Sequence, residues 1–175
     1  MMKKINSYDL KICAFQATIF EQPLMQTECS SKIFIRRYMN SDFATRMDLN
    51  GALFESYTNA DAFNEIDNQY GKTSYGRIKY SKEEMYWIGY IYRYWAITYG
   101  KSSKWLFKKI KPEELRELYF AYHSLDPAQA ISRIIEAKGI EEKDQIAGGA
   151  ENMRMIRQRM SKKKSHNTIN RRIVG

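Results

Sequence analysis

Apolar side chains recur along this chain at helical spacing, in blocks closed by strong stop signals. Leu10, Ile12, Cys13, Phe15, Ala17, Ile19 and Phe20 give a broad apolar face and predict a helix over 7–21. Pro23 ends it, because proline and the residue before it resist helix continuation. A second helix is expected over about 31–39, opened by Ser30-Ser31-Lys32. Asn40-Ser41-Asp42 can cap a short helix through Phe43, Ala44 and Met47, and Asn50-Gly51 is a turn signal. Thr58 is a fitting N-cap for a helix over 58–70, with Ala62, Phe63 and Ile66 on one face and Gly71 as its stop. Residues 71–80 hold two glycines and no helical period, so they read as an extended connector. Ser81 and Glu84 form a capping box. The helix they open runs to Tyr99, where Gly100 ends it. From Met85 to Ile97 that helix is apolar or aromatic nearly all round, which marks a central, buried element. A short helix over 103–110 follows. Pro112 then opens one carrying Leu115, Leu118, Tyr119 and Tyr122, since a first-turn proline loses no hydrogen bond. Asp126-Pro127 opens another, with Ala130, Ile131, Ile134 and Ile135 on one face and Gly139 closing it. The fold class expected is all-α, a helical bundle.

The same signals occur twice. Ser30-Ser31-Lys32-Ile33-Phe34-Ile35-Arg36-Arg37 is echoed 72 residues later by Ser102-Ser103-Lys104-Trp105-Leu106-Phe107-Lys108-Lys109. Thr58, Ala60, Ala62, Phe63, Ile66 and Gly71 are echoed at an offset of 68 by Asp126, Ala128, Ala130, Ile131, Ile134 and Gly139. The order in both halves is apolar helix, Ser-Ser-Lys helix, short helix, Ala-rich helix closed by Gly. Residues 8–71 and 81–139 therefore read as two copies of one four-helix unit. A pseudo-twofold would place the helices at 7–21 and 81–99 near the centre.

Charge divides the chain differently. Of 29 Lys and Arg against 20 Asp and Glu, the last 22 residues hold eight cations and no acid. The net charge of +9 is thus +1 in residues 1–153 and +8 in residues 154–175. Residues 1–140 are expected as the helical core, and 141–175 as a linker, a basic helix over about 150–163 and a disordered tail. No stretch approaches the roughly 18 apolar residues of a membrane span. The start meets charge before any long apolar run, so no signal peptide is expected. The expectation is a soluble, cytoplasmic protein with no membrane partner.

Candidate chemistry is sparse. Cys13 and Cys29 form neither a ligand cluster nor a disulfide framework. His123 reads as a helix end and His166 lies in the tail. There is no nucleophile elbow, phosphate loop or zinc spacing. No catalytic residue, metal site or cofactor is expected. Two binding chemistries remain. Ala96-x-x-x-Gly100-x-Ser102-x-x-x-Leu106 has helix-turn-helix spacing, so Ser102, Ser103, Lys104, Lys108 and Lys109 are candidates for nucleic-acid contact. Lys101 departs from that pattern, which wants an apolar residue there. Arg154, Arg157, Arg159, Lys162, Lys163 and Lys164 in the tail could neutralise phosphates or meet an acidic partner. Tyr, Trp and Arg anchor protein interfaces, which makes Tyr86, Tyr90, Arg93 and Tyr94 the candidates for holding a partner protein. Tyr75-Gly76-Arg77 reads as a connector with side chains able to touch a ligand.

Four runs carry a resemblance: Ile33-Phe34-Ile35-Arg36-Arg37-Tyr38-Met39-Asn40-Ser41, Ser74-Tyr75-Gly76-x-x-Lys79-Tyr80, Tyr86-Trp87-Ile88-Gly89-Tyr90-Ile91-Tyr92-Arg93-Tyr94, and Tyr122-His123-Ser124-Leu125-Asp126-Pro127. Over about residues 30–139 the chain resembles a family of small bacterial antitoxins of toxin–antitoxin modules. The resemblance implies a non-enzymatic protein that binds and neutralises a co-encoded toxin and can repress its own operon. The alternative expectation is a DNA-binding transcriptional regulator using the segment at about 92–110 and the basic tail. The oligomeric state stays open.

Overall fold

The structure, a computed structural model, describes residues 2–49, 51–140 and 154, and of residues 51–53 only the backbone. The tail, with Arg157, Arg159, Lys162, Lys163, Lys164 and the basic helix expected around them, lies outside the described residues. Arg154 is exposed and helical.

The described chain is all-helical. Helix α1 spans Ser7–Glu21, α2 Pro23–Gln26, α3 Ser31–Asn40 and α4 Asp42–Leu49. A 3-10 turn follows at Gly51–Ser56, then α5 at Asn59–Tyr70. After the connector come α6 at Lys82–Tyr99, α7 at Ser103–Lys109, α8 at Pro112–Tyr122 and α9 at Pro127–Lys138. The expected elements are present, and two short ones are added. Pro23 both ends α1 and opens α2, because a first-turn proline has no N–H to lose; Met25 and Gln26 donate instead to the Gln22 carbonyl. The turn after Asn50 tightens into 3-10 geometry rather than staying open.

Local capping sets the boundaries. Asn6 with Asp9, Thr58 with Asp61, and Ser81 with Glu84 form reciprocal capping boxes at α1, α5 and α6. Gly100 and Gly139 close α6 and α9 in the left-handed conformation, at φ 61° and 60°. Each box or cap satisfies first-turn N–H groups that would otherwise lack partners.

Helix α6 is the central element, as its all-round apolar pattern requires. Met85, Ile88, Ile91, Tyr92 and Trp95 are at most 1% exposed. Its main partner is α1, and α3 and α7 also face each other. At the α1–α6 crossing, Gly89 sits against Phe20 and Ala17; a Cβ built on Gly89 would lie 3.1 Å from the Ala17 Cα and 2.7 Å from the Phe20 ring. Ala17 and Gly89 are themselves 72 residues apart. These pairings join elements at matching places in the two halves of the chain. Elsewhere the two halves pack differently: α4 packs on α5, whereas α8 packs on α6.

Both cysteines are buried and unpaired, Cys13 at 0% and Cys29 at 2% exposure. Burial pushes the Cys13 thiol up to about 12, with Arg93 pulling in the opposite direction. The thiolate is the reactive form, so at pH 8 Cys13 should not react with a disulfide reagent until the fold opens. Two thiols should then titrate together in denaturant, and immediate reaction of Cys13 in native buffer would contradict the packing.

Candidate functional site

The candidate residues on α6 separate by depth. Tyr86, Tyr90 and Tyr94, at four-residue spacing, stack in a row with ring centroids 6.3 Å apart at each step. Tyr86 and Tyr90 are half-buried, while Tyr94 is only 7% exposed. Tyr94 is therefore the buried root of the row and not part of a partner face. Arg93 is also corrected: its side chain is 1% exposed and forms a core ion pair with Asp48.

That ion pair is the centre of a closed polar cluster. Arg93 Nη1 donates to Asp48 Oδ1 (2.7 Å), Nε to Gln16 Oε1 (2.8 Å) and Nη2 to Ser103 Oγ (3.1 Å). Asp48 also accepts from the Ser103 N–H and hydroxyl, at 2.8 and 2.7 Å. Gln16 accepts from the Tyr38 hydroxyl (3.1 Å) and donates to the Gly89 carbonyl (2.9 Å). Five helices, α1, α3, α4, α6 and α7, meet through these groups. Burial pushes the Asp48 carboxyl upward, opposed by Arg93 and the Ser103 donors. Burial is the largest influence on Arg93 and works against its charge, but the Asp48 charge and hydrogen bond together with Tyr38 and Cys13 outweigh it and hold the guanidinium above its ordinary value. Three donors around one carboxylate and a guanidinium that does not deprotonate favour the ionised form of the pair. Perturbed groups of this kind can mark active sites. Here the side chains are 1% and 2% exposed, so no substrate reaches them.

The Ser-Ser-Lys starts also serve the core. Ser102 caps α7, accepting from the Trp105 N–H at 3.1 Å. Ser30 makes no such bond, and its buried hydroxyl has no hydrogen-bond partner. The second serines tie in other segments: Ser31 accepts from the Tyr80 N–H (2.8 Å), and Ser103 holds Asp48. Ser102 and Ser103 are each 1% exposed, so they are not nucleic-acid contacts. The turn between α6 and α7 does have the expected glycine, but the start of α7 faces Asp48 and not solvent. Lys101 fits its buried place by laying its ammonium 4.9 Å from the centre of the Trp105 ring. Lys109 lies 5.5 Å from the same ring, while Lys104 and Lys108 are exposed.

What the surface offers is a groove of about 520 Å³ between α6, α8 and the start of α9. Tyr86, Trp87 and Tyr90 form one wall, Tyr119 and His123 the other, with Leu125 and Pro127 at the end. Trp87 meets Tyr119 edge-on at 5.8 Å, and Tyr119 stacks on His123 at 4.6 Å. His123 is fixed by a 2.9 Å contact between Nδ1 and the Tyr119 carbonyl. Beside the groove Phe120 packs edge-on to Tyr119, yet is 82% exposed. Glu21, Lys82 and Glu83 line the rim. Burial raises the Tyr90 hydroxyl to about 12, so it enters the groove as a neutral donor.

The α8 side of this groove was not among the sequence candidates. Its signal was present: Tyr119-Phe120-x-Tyr122-His123 puts aromatics at every helical angle, more than one buried face can take. Among the described residues no group of three or more His, Cys, Asp and Glu could hold a metal ion, and no helix is long and apolar enough to cross a membrane. No protein family, curated protein or solved structure matches the chain.

Proposed function

We propose that this is a non-enzymatic, antitoxin-like protein that binds a co-encoded toxin through the aromatic groove of α6 and α8. The observation that carries the reading is Phe120, a large apolar side chain left in solvent beside a groove walled by Tyr86, Trp87, Tyr90 and Tyr119. Aromatic anchors beside a desolvated pocket dominate binding energy in protein interfaces. The occupant is a segment of the toxin with an apolar side chain for the groove and a cation facing Glu21 and Glu83 at the rim. The family resemblance of the α6 and α8 runs supports the same reading.

Co-expression with the product of the neighbouring reading frame tests it. The parent protein should restore growth to cells making that product. Phe120→Ala, with Tyr86→Ala, should weaken binding by about tenfold or more, given a loss of at least about 1.4 kcal/mol at an anchor. Phe120 is exposed and Tyr86 half-buried, so the variant should still fold cooperatively, with a thermal midpoint only modestly below that of the parent. Full rescue by the double variant would overturn the assignment of the groove.

A further inference from the structure

A second surface, built on α3, has different chemistry. A cleft of about 850 Å³ is lined by Arg36 and Arg37 of α3, Tyr70 at the end of α5, Tyr75 of the connector and Phe107 of α7. Two guanidinium groups and three aromatic rings line it, and no carboxylate does. Arg37 is already positioned: it donates to the Gly71 carbonyl, lies 5.2 Å over the Tyr70 ring and pairs with Asp67 at 4.0 Å, which leaves its side chain 11% exposed at the cleft wall. Arg36 is exposed, with no ion pair among the described residues.

The connector presents Tyr75 deliberately rather than loosely. The Ser30 N–H donates to the Tyr75 carbonyl and the Ser31 N–H to the Ile78 carbonyl, each at 3.0 Å. These are the N–H groups of the N-cap residue and of the first residue of α3, which the connector satisfies from outside the helix. Lys79 Nζ bonds the Thr27 and Pro23 carbonyls at 2.7 and 3.1 Å. Gly76, at φ 79°, lies so close to Ser30 that a Cβ there would sit 2.5 Å from its hydroxyl. A connector pinned at this many points still leaves the Tyr75 ring 72% exposed over the cleft. Lys72 and Arg77, both exposed, extend the positive surface along the same connector.

We infer that this cleft binds single-stranded nucleic acid, with a base stacked on Tyr75 and phosphates on Arg36 and Arg37. Cations that track a backbone, interleaved with exposed rings on which bases stack, are what sequence-tolerant strand binding needs. An acidic peptide would use the cations but would leave the exposed ring without a partner. The inference is independent of the toxin-binding reading and uses a different face.

Fluorescence anisotropy of a labelled twelve-nucleotide oligothymidine, with the full-length chain, tests it. Tyr75→Ala should weaken binding by about fivefold to a hundredfold, the range for removing one stacking ring, and Tyr75→Phe should keep it. Arg36→Ala should flatten the slope of log K against log salt by about 0.7, the loss of one single-strand phosphate contact. Both positions are exposed, so an unchanged melting curve confirms that folding is intact. Parent-like binding by Tyr75→Ala would overturn the proposal and assign any affinity to the basic tail. Equal competition by polyglutamate against parent and Tyr75→Ala would overturn it in favour of an acidic peptide.

Discussion

Replacing Arg93 by Met should cost about 3–5 kcal/mol of folding stability, the range for removing one partner of a buried ion pair. Against a typical total of about 5–15 kcal/mol, that is a large fraction of what holds the fold. The loss has an identifiable source. Asp48 would keep its two Ser103 donors but remain a buried carboxylate without its counter-charge. Gln16 would lose the Nε donor and keep only the Tyr38 hydroxyl on its oxygen. The double variant Arg93→Met with Asp48→Leu should lose less than Arg93→Met alone, since replacing both charges removes the uncompensated one. Urea midpoints of the three proteins would decide this.

The same pair predicts a pH signature. Burial already pushes the Asp48 carboxyl up, and Arg93 is the largest influence holding it down. Without Arg93 its folded-state value rises further above the unfolded one. The folded variant then binds the proton more tightly than the unfolded chain does. Its stability should rise as pH falls through the raised value and level off below the ordinary carboxylate range. The Arg93→Met protein should therefore have a higher urea midpoint at pH 5 than at pH 8. A higher midpoint at pH 8 would show that Asp48 is not the charge left stranded.

Gly89→Val carries the second large effect, about 3 kcal/mol, at the upper end of overpacking costs. The smallest possible side chain at this position would already press within 3.1 Å of the Ala17 Cα. That neighbour is backbone of a fully packed helix and cannot swing aside as the end of a side chain can. Gly89→Ala should be milder, because the alanine gains about 1 kcal/mol of helix propensity against the clash. Gly100→Ala makes a useful contrast. Nothing lies within 4 Å of the built Cβ, and its cost is the left-handed backbone at φ 61°. That cost should be about 1 kcal/mol. Thermal or urea unfolding of the three variants should rank them Gly89→Val first, with a near-neutral Gly89→Val contradicting the close α1–α6 approach.

Much of the fold was legible because the caps are local. Thr58, Ser81, Ser102 and Asp126 act within three residues of themselves, and Gly71, Gly100 and Gly139 stop helices where they stand. The all-round apolar run from Met85 to Ile97 pointed to the central helix for the same reason. What was not legible was pairing at long range. Arg93 looked like an interface anchor because nothing near it in sequence is acidic; its partner Asp48 is 45 residues away. A cation on a helix otherwise buried on all sides does demand a counter-charge, and that demand was the available signal. Sequence alone marks Ser103 as a helix start with no hint of a distant partner, whereas its hydroxyl and N–H close the Arg93–Asp48 cluster. The groove was half legible: Tyr86 and Tyr90 stood out within an aromatic run, but the second wall required knowing that α8 packs on α6.

The proposal that the α6–α8 groove binds a toxin is tested most directly by hydrogen–deuterium exchange of the full-length protein, with and without the product of the neighbouring reading frame. Slower exchange should appear at residues 82–90 and 119–125, the two walls around Tyr86, Tyr90, Phe120 and His123. Protection confined to α3 and α7, or no protection at saturating partner, would contradict the groove as the binding surface.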